Sequence, residues 1–214
     1  MHNPAVNDYF RVTPLEFDLD SLRIEPLTQD HAEGYLRALL PDPETFKWFT
    51  EVPRSHDKAG VLEYIDRRTR AGYHASAILV EGHFVGSSSY FDVRPADFAL
   101  EIGHTWFTKD FRGTALNPLV KSAMMAHAVE NLGAIRVQLK TDARNLASQK
   151  AMEKIGLVRE GTLRHNIIMP DGAFRDTVYY SVLRSEWPAM KDRLARQAEV
   201  KEPIQSALAR FLSN

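Results

Sequence analysis

The 214-residue sequence contains no cysteine. Disulfides, thiolate metal sites and cysteine nucleophiles are therefore excluded, and an acyl-cysteine intermediate with them. Long apolar runs are also missing, and none approaches the roughly 20 residues that carry a helix across a bilayer. Residues 1–20 hold no apolar signal core, only mixed residues with Pro4 and Pro14. Neither sign of charge dominates, with 27 Lys and Arg against 28 Asp and Glu for a net charge of −1. That balance speaks against a general nucleic-acid binder or an anionic-membrane binder. No internal repeat or low-complexity tract is visible. These absences lead to the expectation of a cytoplasmic protein that binds neither nucleic acid nor membrane.

What is present suits one sizeable core, since 44% of the residues are hydrophobic. Leu22 and Ile24 alternate with Arg23 and Glu25 in a short strand ended by Pro26. Thr28 is placed to cap a helix carrying Tyr35, Leu36, Leu39 and Leu40, and a second helix runs from about Lys58 to Ala71. Between them Phe46, Trp48 and Phe49 form either a wall over a site or, as is commoner, plain core. Strands follow at His74–Val80 and His83–Phe91 around the two-residue turn Glu81-Gly82, and again at Phe98–Phe107. A helix ending at Leu132-Gly133 is followed by a strand over Ala134–Thr141, where Ile135, Val137 and Leu139 alternate with Arg136, Gln138 and Lys140 to give one buried face. A helix over Asn145–Ile155, with Asn145 and Ser148 of the types that cap and Gly156 closing it, and a hairpin around Pro170-Asp171-Gly172 complete the pattern. Two strands joined by a helix imply a parallel pair. The fold class expected is α/β (α+β), a mixed, mostly antiparallel seven-stranded sheet with helices on both faces. The expected organisation is an extension over residues 1–20, a domain over 21–190 and a helical tail over 191–214. Apolar residues between Trp187 and Leu212 in that tail raise the expectation of a homodimer.

The stretch Trp106 to Lys121, W-F-T-K-D-F-R-G-T-A-L-N-P-L-V-K, organises the rest. It leaves a strand, turns through Lys109–Thr114 and enters a helix with Pro118 in its first turn. Backbone N–H groups and the helix dipole make such a helix start an anion site, with phosphate or pyrophosphate as the expected guest. Lys109, Arg112 and Lys121 near the loop, with Lys150 and Lys154 on the next helix, are candidates to meet those phosphates. His127 and Glu130 lie three residues apart on a helix, but two residues do not make a metal site, and no metal is expected.

The element order and three motifs resemble the GNAT superfamily of N-acetyltransferases, in its RimJ/RimL-like branch of ribosomal-protein N-terminal acetyltransferases. The first motif is the family's phosphate loop [RQ]-x-x-G-x-[GA], set against Arg112, Gly113, Thr114, Ala115, Leu116 and Asn117, with Ala115 at the central Gly. The second is Asn145-Leu146-Ala147-Ser148 followed by Ala151–Leu157. The third is Thr162-Leu163-Arg164, Met169–Gly172 and Arg175-Asp176-Thr177 with Tyr179-Tyr180-Ser181. The resemblance spans about Leu22 to Trp187. It implies a fold with splayed fourth and fifth strands, acetyl-CoA as co-substrate and an amine acceptor, either a protein N-terminus or a small amine. It implies that Thr105, Trp106 and Phe107 meet the pantetheine arm like an added strand, that Asn145 contacts that arm, and that Lys154 meets the phosphates. It puts Ser148 at the proton donor of the RimL-like branch, because Met152 stands where many members carry a Tyr. The branch's basic Glu falls on Ile167, so that role does not carry over.

The chemistry implied is attack of a neutral primary amine on a thioester, which needs a proton acceptor near pH 7 and a donor for the oxyanion. Glu101, on the strand before the loop, is the best candidate base, because burial raises a carboxylate's pKa; a structural ion pair is its other reading. His104 has a suitable ordinary pKa, but strand alternation turns it to the opposite face from Glu101 unless a bulge intervenes. Water is the third source of a base. Two alternatives stand beside this reading. One is a small-molecule acetyltransferase acting on a polyamine, amino sugar or amino acid; the other is a degenerate acyl-CoA-binding or scaffold protein.

Overall fold

Two tight hairpins set the register of the sheet. The computed structural model describes residues 10–13, 15–70 and 72–213. In it β3 (His74–Val80) and β4 (His83–Arg94) are joined by Glu81 and Gly82, whose φ values of +48° and +76° are those of a type I′ turn. β7 (Val158–Ile168) and β8 (Phe174–Leu183) are joined through Gly172 in the same backbone region. β1 (Phe17–Leu19), β2 (Leu22–Pro26), β5 (Ala99–Phe107) and β6 (Arg136–Asp142) complete a sheet of order β1-β2-β3-β4-β5-β6-β8-β7. The sheet has eight strands where seven were expected. The extra one, β1, is three residues long with only one half-buried side chain, too short to show an alternation. It falls within residues 1–20, where Phe10, Val12 and Leu15 are also buried in the core. Every neighbouring pair is antiparallel except β5 and β6.

Helices cover both faces. α1 (Ala32–Leu39) and α2 (Lys58–Thr69) bury Tyr35, Leu39, Val61 and Ile65 on one face, around Trp106. α3 (Leu116–Ala126), α4 (Leu146–Ile155), α5 (Trp187–Glu199) and α6 (Ile204–Leu212) cover the other. α3 runs on through a π-helical turn, His127–Asn131, before Gly133 ends it. Asp57 caps α2 by accepting the Gly60 N–H at 2.8 Å, and Asn145 caps α4 by accepting the Ser148 N–H at 3.1 Å. The expected single buried face of β6 is corrected: Gln138 is buried on the supposedly wet side, while Ile135, just before the strand, is half exposed.

Within the sheet, β7 is the outer strand on one side. It is mostly exposed, and its pairing with β8 slips between Leu163 and Ile167, with His165 at φ +47°. On the C-terminal side the tail is part of the core. Trp187, Met190, Leu194, Ile204 and Ala207 are all buried against α3 and the sheet. Most of the apolar residues that raise the expectation of a homodimer are thus covered by the chain itself, while Val200 and Leu212 stay exposed.

Leu194 is 1% exposed. Leu194→Ala removes a buried side chain and leaves a cavity, so we expect a loss of about 2–5 kcal/mol of stability by denaturant titration. A loss below about 0.5 kcal/mol, the size of a surface substitution, would show that the tail is not docked in solution.

Candidate active site

The parallel pair β5 and β6 stays together for only three residues. Ala99 faces Arg136, Leu100 faces Val137 and Glu101 faces Gln138; beyond that, β6 continues beside β8 and no longer pairs with β5. β5 carries on beside β4 to Phe107. The β5 edge after Glu101 is therefore open on its β6 side. At the same place β5 bulges. Ser87 and Ser89 of β4 face Trp106 and Gly103, so two β4 steps span three on β5. His104 takes φ +49° there, an uncommon backbone for a non-glycine residue.

The extra residue inverts the alternation. Leu100 and Ile102 pack in the core beneath α3, and without the bulge His104 and Trp106 would follow them. Instead Trp106 lies in the opposite core, edge-on to Tyr35 at 5.0 Å and Phe46 at 5.5 Å between ring centres. His104 sits among Phe49, Tyr73 and Phe91, with ring centres 5.8, 6.3 and 5.2 Å away. The expectation that Glu101 and His104 face opposite ways is corrected: both line one cavity. Thr105 turns the other way, toward α3, where its hydroxyl meets Ser88 Oγ at 2.7 Å.

The cavity has a volume of about 240 Å3 and lies where the two strands part. Glu101, Thr105, Asn145 and Ser148 all reach it, and Ile167 forms part of its wall. Trp48 and Phe49 line it as well, which decides for them in favour of a wall over a site, while Phe46 is core. Several lining residues were not singled out from the sequence: Glu51, Tyr73, Phe91 and Lys140. They come from four separate segments, and no local pattern marks them, whereas Arg175, which also lines the cavity, belongs to the third motif.

Glu101 is 1% exposed. Its Oε2 accepts from Gln138 Nε2 at 2.9 Å and from Lys140 Nζ at 3.1 Å, while Oε1 is buried without a partner. Burial raises its pKa above the usual carboxylate range, against the opposing pull of Lys140 and Gln138. The ion-pair reading is thus realised with a lysine, on one oxygen only. His104 Nδ1 is also buried and unpaired, and burial, helped by Arg68, Lys140 and Arg175, holds its pKa well below 6.5. Glu101 Oε1 is thus free to accept a hydrogen bond, and His104 is an uncharged imidazole at neutral pH lining the same cavity.

The loop before α3 is arranged differently from the sequence expectation. Gly113 has φ +81° and open space around its Cα. Ala115 is the N-cap of α3 with φ −64°, so the left-handed backbone falls on Gly113 and the Cβ of Ala115 is accommodated. Two amides of the helix start are already used. Ala115 N–H donates to the carbonyl of Glu202 at 2.9 Å, and Leu116 N–H donates to Thr114 Oγ1 at 3.2 Å. Arg112 pairs with Asp42 at 2.6 Å and donates to Thr45 Oγ1 at 2.8 Å. Asn117 is half-buried in the first turn, Phe107 packs in the core, and Lys154 is exposed on α4. Lys121, grouped with the loop cations from the sequence, is instead buried and lines the cavity. Met152, which stands where many family members carry a Tyr, is buried in the core, whereas Ser148 of the same helix lines the cavity.

Among the described residues no helix is long and apolar enough to cross a membrane. Comparison with known proteins agrees with this architecture. The profile of the Acetyltransferase (GNAT) domain matches residues 21–158. The "Putative ribosomal N-acetyltransferase YdaF" of Bacillus subtilis (strain 168) is 30% identical over 178 residues, covering 80% of this chain and 96% of that protein. The crystal structure of a putative acetyltransferase from T. thermophilus superposes with a TM-score of 0.81 at 38% identity, covering 87% of this chain and 98% of that one. Mycobacterium smegmatis RimJ, solved in complex with CoA-disulfide, shares the fold at a TM-score of 0.73 and 19% identity, covering 85% and 91% of the two chains. With its parted parallel strands, bulged β5 and matching profile, the chain belongs to the GNAT family of acetyltransferases.

Proposed function

We propose that this protein transfers an acetyl group from acetyl-CoA to a primary amine by direct attack within a ternary complex. The observation that carries the reading is Glu101 Oε1, a buried carboxylate oxygen without a partner beside a cavity at the strand opening. An acceptor amine bound there donates to Oε1 and loses its proton to it as the C–N bond forms. The open edge of β5, from Thr105 through Trp106 and Phe107, supplies backbone groups to the pantetheine arm in the manner of an added strand. A backbone N–H of this edge takes the oxyanion. Asn145 meets the same arm while capping α4, and Ser148 hydrogen-bonds the leaving sulfur. No oxyanion or sulfur step calls on Met152 or Ile167.

The pyrophosphate is assigned to the turn before α3, supported by Gly113 and its open surroundings. With Ala115 and Leu116 N–H already engaged, the turn's remaining amides carry that contact, and Arg112 contributes only by leaving Asp42. Lys109, Lys150 and Lys154 provide general positive charge nearby.

For the acceptor, the cavity argues against a polyamine. Glu51 and Glu101 are its carboxylates, and each already faces a cation, Arg68 at 3.3 Å and Lys140 at 3.1 Å. Lys121 and Arg175 add further positive charge, so a polycation would meet repulsion. A single primary amine fits better, and the similarity to a ribosomal N-acetyltransferase favours the N-terminus of a cytoplasmic protein. Acetyl-CoA consumption measured over a panel of N-terminal peptides, amino acids and polyamines tests this. Turnover with none of them, while CoA still binds, would leave an acyl-CoA-binding protein without transfer.

Two variants probe the assignments. Gly113→Val forces a β-branched residue to φ +81° and should weaken CoA binding sharply by calorimetry, whereas a substitution at Lys191, on the tail, should not. Equal CoA affinity for Gly113→Val and wild type would sink the placement of the pyrophosphate. Glu101 must be ionised to act, so turnover should rise with pH through its raised pKa. Glu101→Gln should lose that acid limb and about 10²–10⁴-fold in turnover. Ser148→Ala removes one neutral hydrogen bond, about 0.5–1.5 kcal/mol, and should cost roughly tenfold at most. Near-normal turnover and an unchanged pH profile in Glu101→Gln would remove Glu101 from the mechanism.

A further inference from the structure

Lys121 is a buried cation with no counterion among the described residues. It stands on α3, is 8% exposed, and its Nζ donates to Thr105 Oγ1 at 3.2 Å. Other cations around the cavity are matched: Lys140 to Glu101, Arg68 to Glu51 and Arg144 to Asp142. Arg175 donates to the carbonyl of Trp48. No carboxylate among the described residues lies within ion-pair distance of Lys121. An ammonium in such a place is costly unless something anionic completes it.

Its position says what that is. Thr105 lies within the bulged segment, on the β5 edge that β6 has left, and Ser88 holds its hydroxyl from behind. Lys121 thus reaches the opening from the α3 side, where Asn145 and Ser148 also line the cavity, while Glu101 and His104 reach it from the other. We infer that Lys121 is a catalytic residue whose ammonium receives the thiolate of the carrier as the C–S bond breaks, and protonates it. The inference rests on the acyl transfer proposed above. The neutral amine forms the C–N bond and passes its proton to Glu101. The C–S electron pair stays on sulfur, which takes a proton from Lys121 Nζ. Glu101 then releases its proton to solvent and Lys121 takes one up, leaving amide and free thiol. Ser148 orients the sulfur, and Lys121 supplies charge and proton.

The ionisation of Lys121 is compatible with this role, since burial alone pushes its pKa down to about 8, close to that of an ordinary thiol. The titratable groups facing the same space are Glu101 and His104 on β5, Lys140 on β6, Arg175 on β8, and Glu51 and Tyr73 ahead of β3. Tyr90 on β4 lies beneath α3, where it donates to the carbonyl of Met124. Burial raises Glu101 above the usual carboxylate value, holds His104 well below 6.5, and raises Tyr73 and Tyr90 above 10.

The test uses the full chain as wild type, Lys121→Met and Lys121→Arg. First, free CoA is bound and its thiol titrated by ultraviolet thiolate absorbance. The wild type should ionise the bound thiol at lower pH than free CoA, Lys121→Arg should retain this, and Lys121→Met should abolish it. Second, turnover is followed against pH with acetyl-CoA and the best amine of the panel. Lys121→Met should lose about 10²–10⁴-fold in kcat, along with the alkaline limb near pH 8, at nearly unchanged CoA affinity. Lys121→Arg should move that limb upward. Identical thiol titration in wild type and Lys121→Met, or an unchanged alkaline limb in Lys121→Met, overturns the role. Absence of turnover in the wild type sinks the transferase reading instead, and the thiol titration still decides whether Lys121 faces the sulfur.

Discussion

The parting of β5 from β6 is the constraint on which the site depends. Three residues of parallel pairing hold the two halves of the sheet together, and the next residues leave an open β5 edge in the middle of a continuous sheet. An unpaired edge inside a core is normally costly, because its N–H and C=O groups have no water to turn to. The fold tolerates it here because both faces of the sheet are covered by helices whose ends stop short of the opening. α3 begins and α4 begins on one side, and the aromatic segment around Trp48 and Phe49 closes the other. What lies between them is the cavity.

The bulge adds a second consequence. A regular β5 would send Glu101 and His104 to opposite faces. One inserted residue puts both on the aromatic side and turns Thr105 toward α3. Glu101 and His104 on one side and Thr105 on the other are thereby set on two faces of one strand, a few residues apart. The positive φ at His104 is the local cost of this arrangement, and buried aromatic packing on that ring holds it in place.

Much of this was legible in the sequence. The hairpins at Glu81-Gly82 and Pro170–Gly172, the Asn145 cap, the Gly156 stop and the strand–turn–helix around Gly113 are local signals carried by residues with special backbone preferences. The burial of Glu101 was legible too, as a carboxylate on the strand that leads into the loop. The bulge was not, because nothing in Gly103-His104-Thr105 distinguishes a strand that keeps its alternation from one that breaks it. Gln138 was misread as solvated for a related reason: its partner, Glu101, sits on another strand. Arg175, Tyr73 and Lys140 reach the cavity only through the strand order, and Lys121 was grouped with its sequence neighbours although the helix carries it a full turn inward. Periodicity reports which face a residue occupies, and not what lies opposite.

The outer strand β7 has a consequence for the molecule as a whole. Eleven residues of exposed strand would ordinarily offer a template for another chain to pair with. Here Arg159, Glu160, Arg164 and His165 lie along it, Arg136 reaches across to Glu160, and the pairing slips between Leu163 and Ile167. His165 N–H is occupied by Asp176 Oδ1 at 2.7 Å. A straight, flat edge is thereby broken into short charged pieces, so the sheet can end in water without inviting fibrillar stacking.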